Sequence, residues 1–190
     1  MVVALCGSAK GGYQLRYEMI DQLVLERCTI RPWWLDDAES LARDANNRRV
    51  CRALRDTFPH PYTIKDAHEF IREAIADQSA TKYCIEINGR AVGGIGVHLG
   101  PDVHRHTATV GYWLGEEFWG RGIMTEAVTA VTDFCFDNFP LRRISAELFA
   151  NNPASARVLE EAGFIFEARL KNNVMKDGQV LDSLLYARTR

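Results

Sequence analysis

The sequence predicts an α+β fold, a central mixed and mostly antiparallel sheet flanked by helices. Three observations carry this. The hydrophobic period changes from helical before about residue 76 to alternating over Lys82–Val97, where Asn88-Gly89 signals a hairpin. The segment Val110–Ala127 reads as a strand, a glycine-punctuated loop and a helix start. The last third adds strand, helix and two terminal strands, giving the order β-αα-βββ-α-β-α-ββ.

Each element has a local reason. Leu25–Arg31 alternates as a strand does, and Pro32 closes it. Asp36 and Asp37 place acids at a helix start running through Leu41 toward Asn47, and a second helical piece holds Val50, Ala53 and Leu54. Two prolines make Thr57–Tyr62 a loop. Thr63 and Asp66 form a capping box ahead of the apolar face Phe70, Ile71, Ala74 and Ile75. Strands at Thr107–Leu114 and Arg143–Phe149 alternate with helices at Ile123–Asn138 and Pro153–Ala162. The terminal strands, Ile165–Val174 and Val180–Ala187, are joined through Asp177-Gly178.

Size and composition bound the function. With 190 residues, one domain with one core is expected, over 23–190, preceded by a flexible arm over 1–22. A net charge of −2 provides no global field for nucleic acid, so an anionic ligand must be held by local geometry. No apolar run reaches the roughly 20 residues of a membrane span, and Met1–Leu5 is too short and lacks the basic flank of a secretory leader. The five cysteines (Cys6, Cys28, Cys51, Cys84, Cys135) form no close pair, which points to reduced thiols in a cytoplasmic protein without a metal site.

Two helix starts carry the chemistry. The first follows Phe118-Trp119-Gly120-Arg121-Gly122-Ile123-Met124-Thr125. First-turn amides lack intrahelical acceptors and sit at the positive end of the helix dipole, which suits phosphate oxygens. The second follows Asn151-Asn152-Pro153-Ala154-Ser155, where Asn152 suits the N-cap and Pro153 the first helical position. Two neighbouring strands that each end in a helix start frame a cleft with donors on both sides. The loop lacks the third glycine and following acid of a dinucleotide fold, which sets an oxidoreductase aside.

These segments together resemble the GNAT acetyltransferase superfamily, specifically its RimJ/RimL branch of protein N-terminal acetyltransferases. The resemblance rests on Gly-Tyr-Trp-Leu before Phe-Trp-Gly-Arg-Gly-Ile and Thr-Glu-Ala, on Asn152-Pro153-Ala154-Ser155 with Gly163-Phe164, on Asp56–Tyr62, and on Asp177-Gly178 with Asp182–Tyr186. It covers about Leu25 to Arg188. It implies acetyl transfer from acetyl-CoA to an amine by direct attack in a ternary complex, in a monomer or homodimer. The acceptor is a protein or peptide α-amine. The alternatives are a small amine, amino acid or antibiotic, or a non-catalytic acyl-CoA-binding module.

The residues it assigns are as follows. Trp113, Leu114, Trp119, Gly120, Arg121, Gly122, Ile123, Met124 and Thr125 hold the cofactor, with Asn152, Ser155 and Arg157 from the next helix. Arg121 and Arg157 are otherwise solvated surface charges. Met124 stands where the superfamily has a small residue, which predicts a less close approach of the backbone to the pyrophosphate. Ser155 is the hydroxyl nearest the leaving thiolate, Asn152 orients it, and Phe58, Pro59, His60, Tyr62 and Tyr112 line the acceptor side. Relatives often carry a glutamate where Thr109 stands, so the base is open among Glu147, His60, His104, His106 and water. At pH 7.5 deprotonation costs about 0.5 kcal/mol for an α-amine and about 4 kcal/mol for a lysine, so a site without a dedicated base suits the α-amine.

Overall fold

A computed structural model describes residues 20–77 and 81–190. Eight strands form one sheet in the order β1-β2-β3-β4-β5-β6-β8-β7. These are β1 (Leu23–Val24), β2 (Thr29–Pro32), β3 (Lys82–Ile87), β4 (Arg90–Leu99), β5 (Thr107–Leu114), β6 (Arg143–Phe149), β7 (Ile165–Lys176) and β8 (Gln179–Thr189). Every neighbouring pair is antiparallel except β5 and β6. Five helices complete the fold: α1 (Ala38–Ala45), α2 (Arg48–Cys51), α3 (Ile64–Ala76), α4 (Ile123–Asn138) and α5 (Pro153–Glu161). No helix among the described residues is long and apolar enough to cross a membrane.

The expected class holds, and the local signals act as read. Asn88 and Gly89 take φ 51° and 76°, the left-handed pair that a two-residue hairpin turn needs. Thr63 and Asp66 cap α3 reciprocally, with Thr63 N–H donating to Asp66 Oδ2 at 2.7 Å and Asp66 N–H to Thr63 Oγ1 at 3.3 Å. The Thr63 hydroxyl, donating to Asp66 Oδ2 at 2.6 Å, and then the Thr63 amide hold the Asp66 carboxyl below its usual range. The main core lies on one face of the sheet, where Val110, Leu114, Ala146 and Leu148 meet Val128, Val131 and Leu159 of α4 and α5. A smaller core on the other face packs α1 and α3 through Leu41, Ala45, Ala67 and Ile71 around Trp33.

Two expectations change. The first strand, expected over Leu25–Arg31, is two strands separated by a tight turn in which Leu25 N–H donates to Cys28 O. The cause lies a hundred residues away: the Glu126 carboxylate accepts from the amides of Glu26 and Arg27 at 2.9 and 3.0 Å. The arm expected over 1–22 lies outside the described residues except at its end, where Ile20 is buried in the core.

Asp37, read as a helix-start acid, stands at the N-cap of α1, and its side chain is buried beside Arg31. Arg31 is 1% exposed and reaches both Asp37 oxygens at 2.8 Å, with Glu86 as a second carboxylate. A buried cation is tolerable only when paired and hydrogen-bonded. Asp37→Asn is expected to lower unfolding free energy by about 3 kcal/mol, the lower end for a broken buried pair because Glu86 remains. Urea unfolding followed by far-UV dichroism measures this, and a loss below about 1 kcal/mol would contradict the assignment.

Candidate active site

The parallel pairing of β5 with β6 is short, from Thr107↔Arg143 to Thr109↔Ser145. Beyond it β5 continues to Leu114 along β4, and β6 continues to Phe149 along β8, so the two strands diverge into a notch. Gly115 N–H donates to Val92 O on the β4 side. Backbone direction alternates along a strand, so Tyr112 and Leu114 turn their amide groups toward the notch. Trp119 Nε1 donates to Leu114 O at 2.8 Å, which leaves the Leu114 N–H and both Tyr112 groups facing it. Such an edge suits an extended ligand carrying amides, which pairs as a further strand would.

At the open end of the notch the chain turns through Gly120 and Gly122, at φ 72° and 73°, into the 16-residue α4. Gly122 is its N-cap in the left-handed conformation, so only glycine enters without strain. The amides of Ile123, Met124 and Thr125 lie in the first turn, while Ile123 and Met124 bury their side chains in the core. The bulk of Met124, expected to hold a ligand away, is therefore taken up inside. Arg121 is exposed, with its guanidinium 5.6 Å from the Phe118 ring, and Thr125 Oγ1 donates to Glu161 at 3.1 Å. Arg157 is exposed on α5. Arg27, which sequence reading passed over, stands beside this loop: a Cβ on Gly122 would lie 3.5 Å from its Nε.

Tyr112 and Ser155 meet across the notch. Their hydroxyls share a hydrogen bond at 2.8 Å, and the phenol also donates to Ser155 O at 3.3 Å. Tyr112 was expected on the acceptor side and Ser155 at the thioester, yet they form one pair. Burial pushes the Tyr112 phenol up to about 12, partly opposed by the bond to Ser155. Asn152 caps α5, its Oδ1 accepting from Ser155 N–H at 3.2 Å, so it places Ser155 through the backbone.

The opposite sheet face carries a different set. Ala146 and Leu148 enter the main core, so Glu147 between them emerges on the side of α1 and α3. Trp113 also goes there, packing against Phe58 at 5.6 Å, and Phe58 packs against buried Tyr62 at 4.9 Å. Trp113, expected at the cofactor, thus belongs to the aromatic cluster, and its backbone faces β4. Gly94 admits it: a Cβ there would approach the Trp113 indole nitrogen to 2.8 Å. Pro59 is half-buried and His60 exposed in the same loop. The β7–β8 hairpin closes over this face, with Lys176 Nζ on Asp56 at 2.7 Å and Arg48 on Asp177 at 2.9 Å. The loop and hairpin expected to form one wall are therefore joined. His104 ends the short turn Asp102–His104 and His106 precedes β5, roughly 20 Å of extended chain from Tyr112, so neither is placed to serve as the base.

Comparison with known proteins agrees with this geometry. The Acetyltransferase (GNAT) domain family matches residues 27–165. The chain belongs to the GNAT acetyltransferase family. It is an acyltransferase of the N-acetyltransferase type. It is 26% identical over 171 residues to "Uncharacterized N-acetyltransferase p20" of Bacillus licheniformis, covering 88% of this chain and 96% of that one. It is 37% identical over 82 residues to the "Ribosomal-protein-serine acetyltransferase" of Escherichia coli (strain K12), covering 43% of this chain and 46% of that one. Among solved structures, Mycobacterium smegmatis RimJ in complex with CoA-disulfide superposes with a TM-score of 0.76 at 26% identity, over 85% of this chain and 81% of that one.

Proposed function

We propose that this GNAT enzyme transfers an acetyl group from acetyl-CoA to the α-amine of a protein or peptide N terminus. The observation that carries it is the notch between β5 and β6, with the Tyr112–Ser155 hydroxyl pair on one sheet face and the Glu147 carboxylate on the other. The residues present fit the cofactor. The Tyr112 and Leu114 backbone suits its amides, and the left-handed glycines with the first-turn amides of α4 suit its pyrophosphate. Arg121 in the loop and Arg27 beside it are charges at that end, and Arg157 is exposed on α5. Bound there, acetyl-CoA supplies an acetyl group activated as a thioester.

The chain's own groups then divide the work. The Leu114 N–H is the donor for the carbonyl oxygen on which charge grows. Tyr112 and Ser155 meet the negative charge growing on sulfur, and magnitudes decide how. A phenol near 12 and a thiol near 8.5 differ by about 3.5 units, so proton transfer from Tyr112 costs roughly 5 kcal/mol. The pair therefore acts as hydrogen-bond donor to the thiolate and keeps its proton. The acceptor approaches the face of Phe58, Trp113 and Glu147.

Support for an α-amine comes from the cost of deprotonation, about 3.5 kcal/mol less than a lysine requires, since the two pKa values lie about 2.5 units apart. Similarity to the Escherichia coli ribosomal-protein-serine acetyltransferase points the same way. The test offers labelled acetyl-CoA with a peptide bearing a free N terminus, the same peptide N-blocked with a free lysine, and a panel of small amines. Label on the first at a rate at least tenfold above the others is the expected result. Label on small amines alone would overturn the reading, as would binding with no turnover.

A further inference from the structure

The β7 strand departs from regular pairing with β8 between Leu170 and Val174. Asn172 in this stretch takes φ 52°, and the Asp182 carboxylate pins it, accepting from Asn172 N–H at 2.9 Å and from Arg169 Nε at 2.6 Å. The irregularity re-aims the next side chain, as strand bulges do beside functional sites. Asn173 reaches across β8 and splits its amide protons between two oxygens, donating from Nδ2 to Ser183 Oγ and to Glu147 Oε1, each at 2.7 Å. Ser183 is fully buried, so the anchor end is fixed by packing. The amide orientation is dictated as well: an ionised carboxylate only accepts, so nitrogen must face it.

Glu147 lies two residues beyond Ser145, where β6 leaves β5, on the sheet face opposite the Tyr112–Ser155 pair. We infer that Asn173 is a positioning residue that holds the Glu147 carboxylate at the acceptor side of the notch to take up the proton of the incoming ammonium. This rests on the transfer proposed above. In the step, an N–H bond of the ammonium breaks, an O–H bond forms on Glu147, and the exposed carboxyl then passes the proton to water. Without Asn173 the side chain of Glu147 has several rotamers and no fixed oxygen. The irregularity in β7, the Asp182 pin and the Ser183 anchor thereby share one purpose.

Steady-state kinetics on a free-N-terminus peptide test this through a double-mutant cycle. Glu147→Gln is expected to lower kcat about 100-fold, the low end for a general base. Asn173→Ala is expected to lower it about tenfold, and Asn173→Asp at least as much, because it keeps the shape but sets carboxylate against carboxylate. CoA affinity by calorimetry is expected to stay at the wild-type value in all three, and the thermal midpoint to stay there in Glu147→Gln. The Asn173→Ala/Glu147→Gln double variant is expected to match Glu147→Gln alone, since Asn173 acts only through Glu147. Losses that multiply in the double variant would overturn the inference, as would full turnover in Asn173→Asp. An active wild type with unchanged kcat in Glu147→Gln would end it while leaving the proposed transfer intact. A wild type that acetylates no peptide would overturn both.

Discussion

Gly122→Glu is expected to abolish acetyl-CoA binding in calorimetry while the protein stays folded. Two effects add. At φ 73° a residue with a Cβ costs about 1–2 kcal/mol, so part of the change goes into strain at the α4 N-cap. The larger effect is electrostatic. A carboxylate at this position sits among the first-turn amides of α4 and within reach of Arg27, whose Nε lies 3.5 Å from where the new Cβ would be. It competes for the donors that suit pyrophosphate and repels the ligand's charge. One such repulsion at about 4 Å is worth about 4 kcal/mol at an effective dielectric of 20, nearly three decades in affinity. Gly122→Ala separates the two effects, since it carries strain without charge and is expected to lose at most about tenfold. Wild-type affinity in Gly122→Glu would refute the assignment of this loop to the cofactor.

The second large effect is expected at the hydroxyl pair. Ser155→Ala and Tyr112→Phe each remove one donor, but the partner hydroxyl at 2.8 Å can turn toward the same sulfur. Each single variant is therefore expected to lose about tenfold in kcat. The double variant leaves the thiolate without either donor. A hydrogen bond to a charged group is worth about 1.5–3 kcal/mol, so about 100-fold is expected from the pair. CoA affinity is expected to change less than about threefold, because these bonds strengthen as charge develops and not on binding. Unchanged kcat in the double variant would remove the pair from the chemistry. A loss confined to affinity would make them binding groups.

How much of this could be read from the chain depends on the range of the interactions. Asn88-Gly89, Thr63 with Asp66, and Asn152 with Pro153 act within four residues, and each signal gave the element it named. The glycine turn ahead of α4 was legible for the same reason. What escaped was set by contacts across the sequence. The turn at Leu25–Cys28 follows from Glu126, the burial of Asp37 follows from Arg31, and Asn173 meets Glu147 only because β8 lies between them. Trp113 was placed with its neighbour Leu114, although strand alternation sends the two side chains to opposite faces. The period of two is itself a sequence signal, and it separates these two side chains.

The four-residue α2 touches both walls of the site. Arg48 pairs with Asp177 in the β7–β8 hairpin, while Asn47 and Arg49 bind Glu116 just ahead of the glycine loop. These ties join the two walls, and two ligands seated on the two sides are coupled to the extent that the ties differ between the free and bound states. Thermodynamic reciprocity requires that each alter the other's affinity by the same factor. Exposed ion pairs are worth about 0–1 kcal/mol, which keeps that factor under about fivefold per tie.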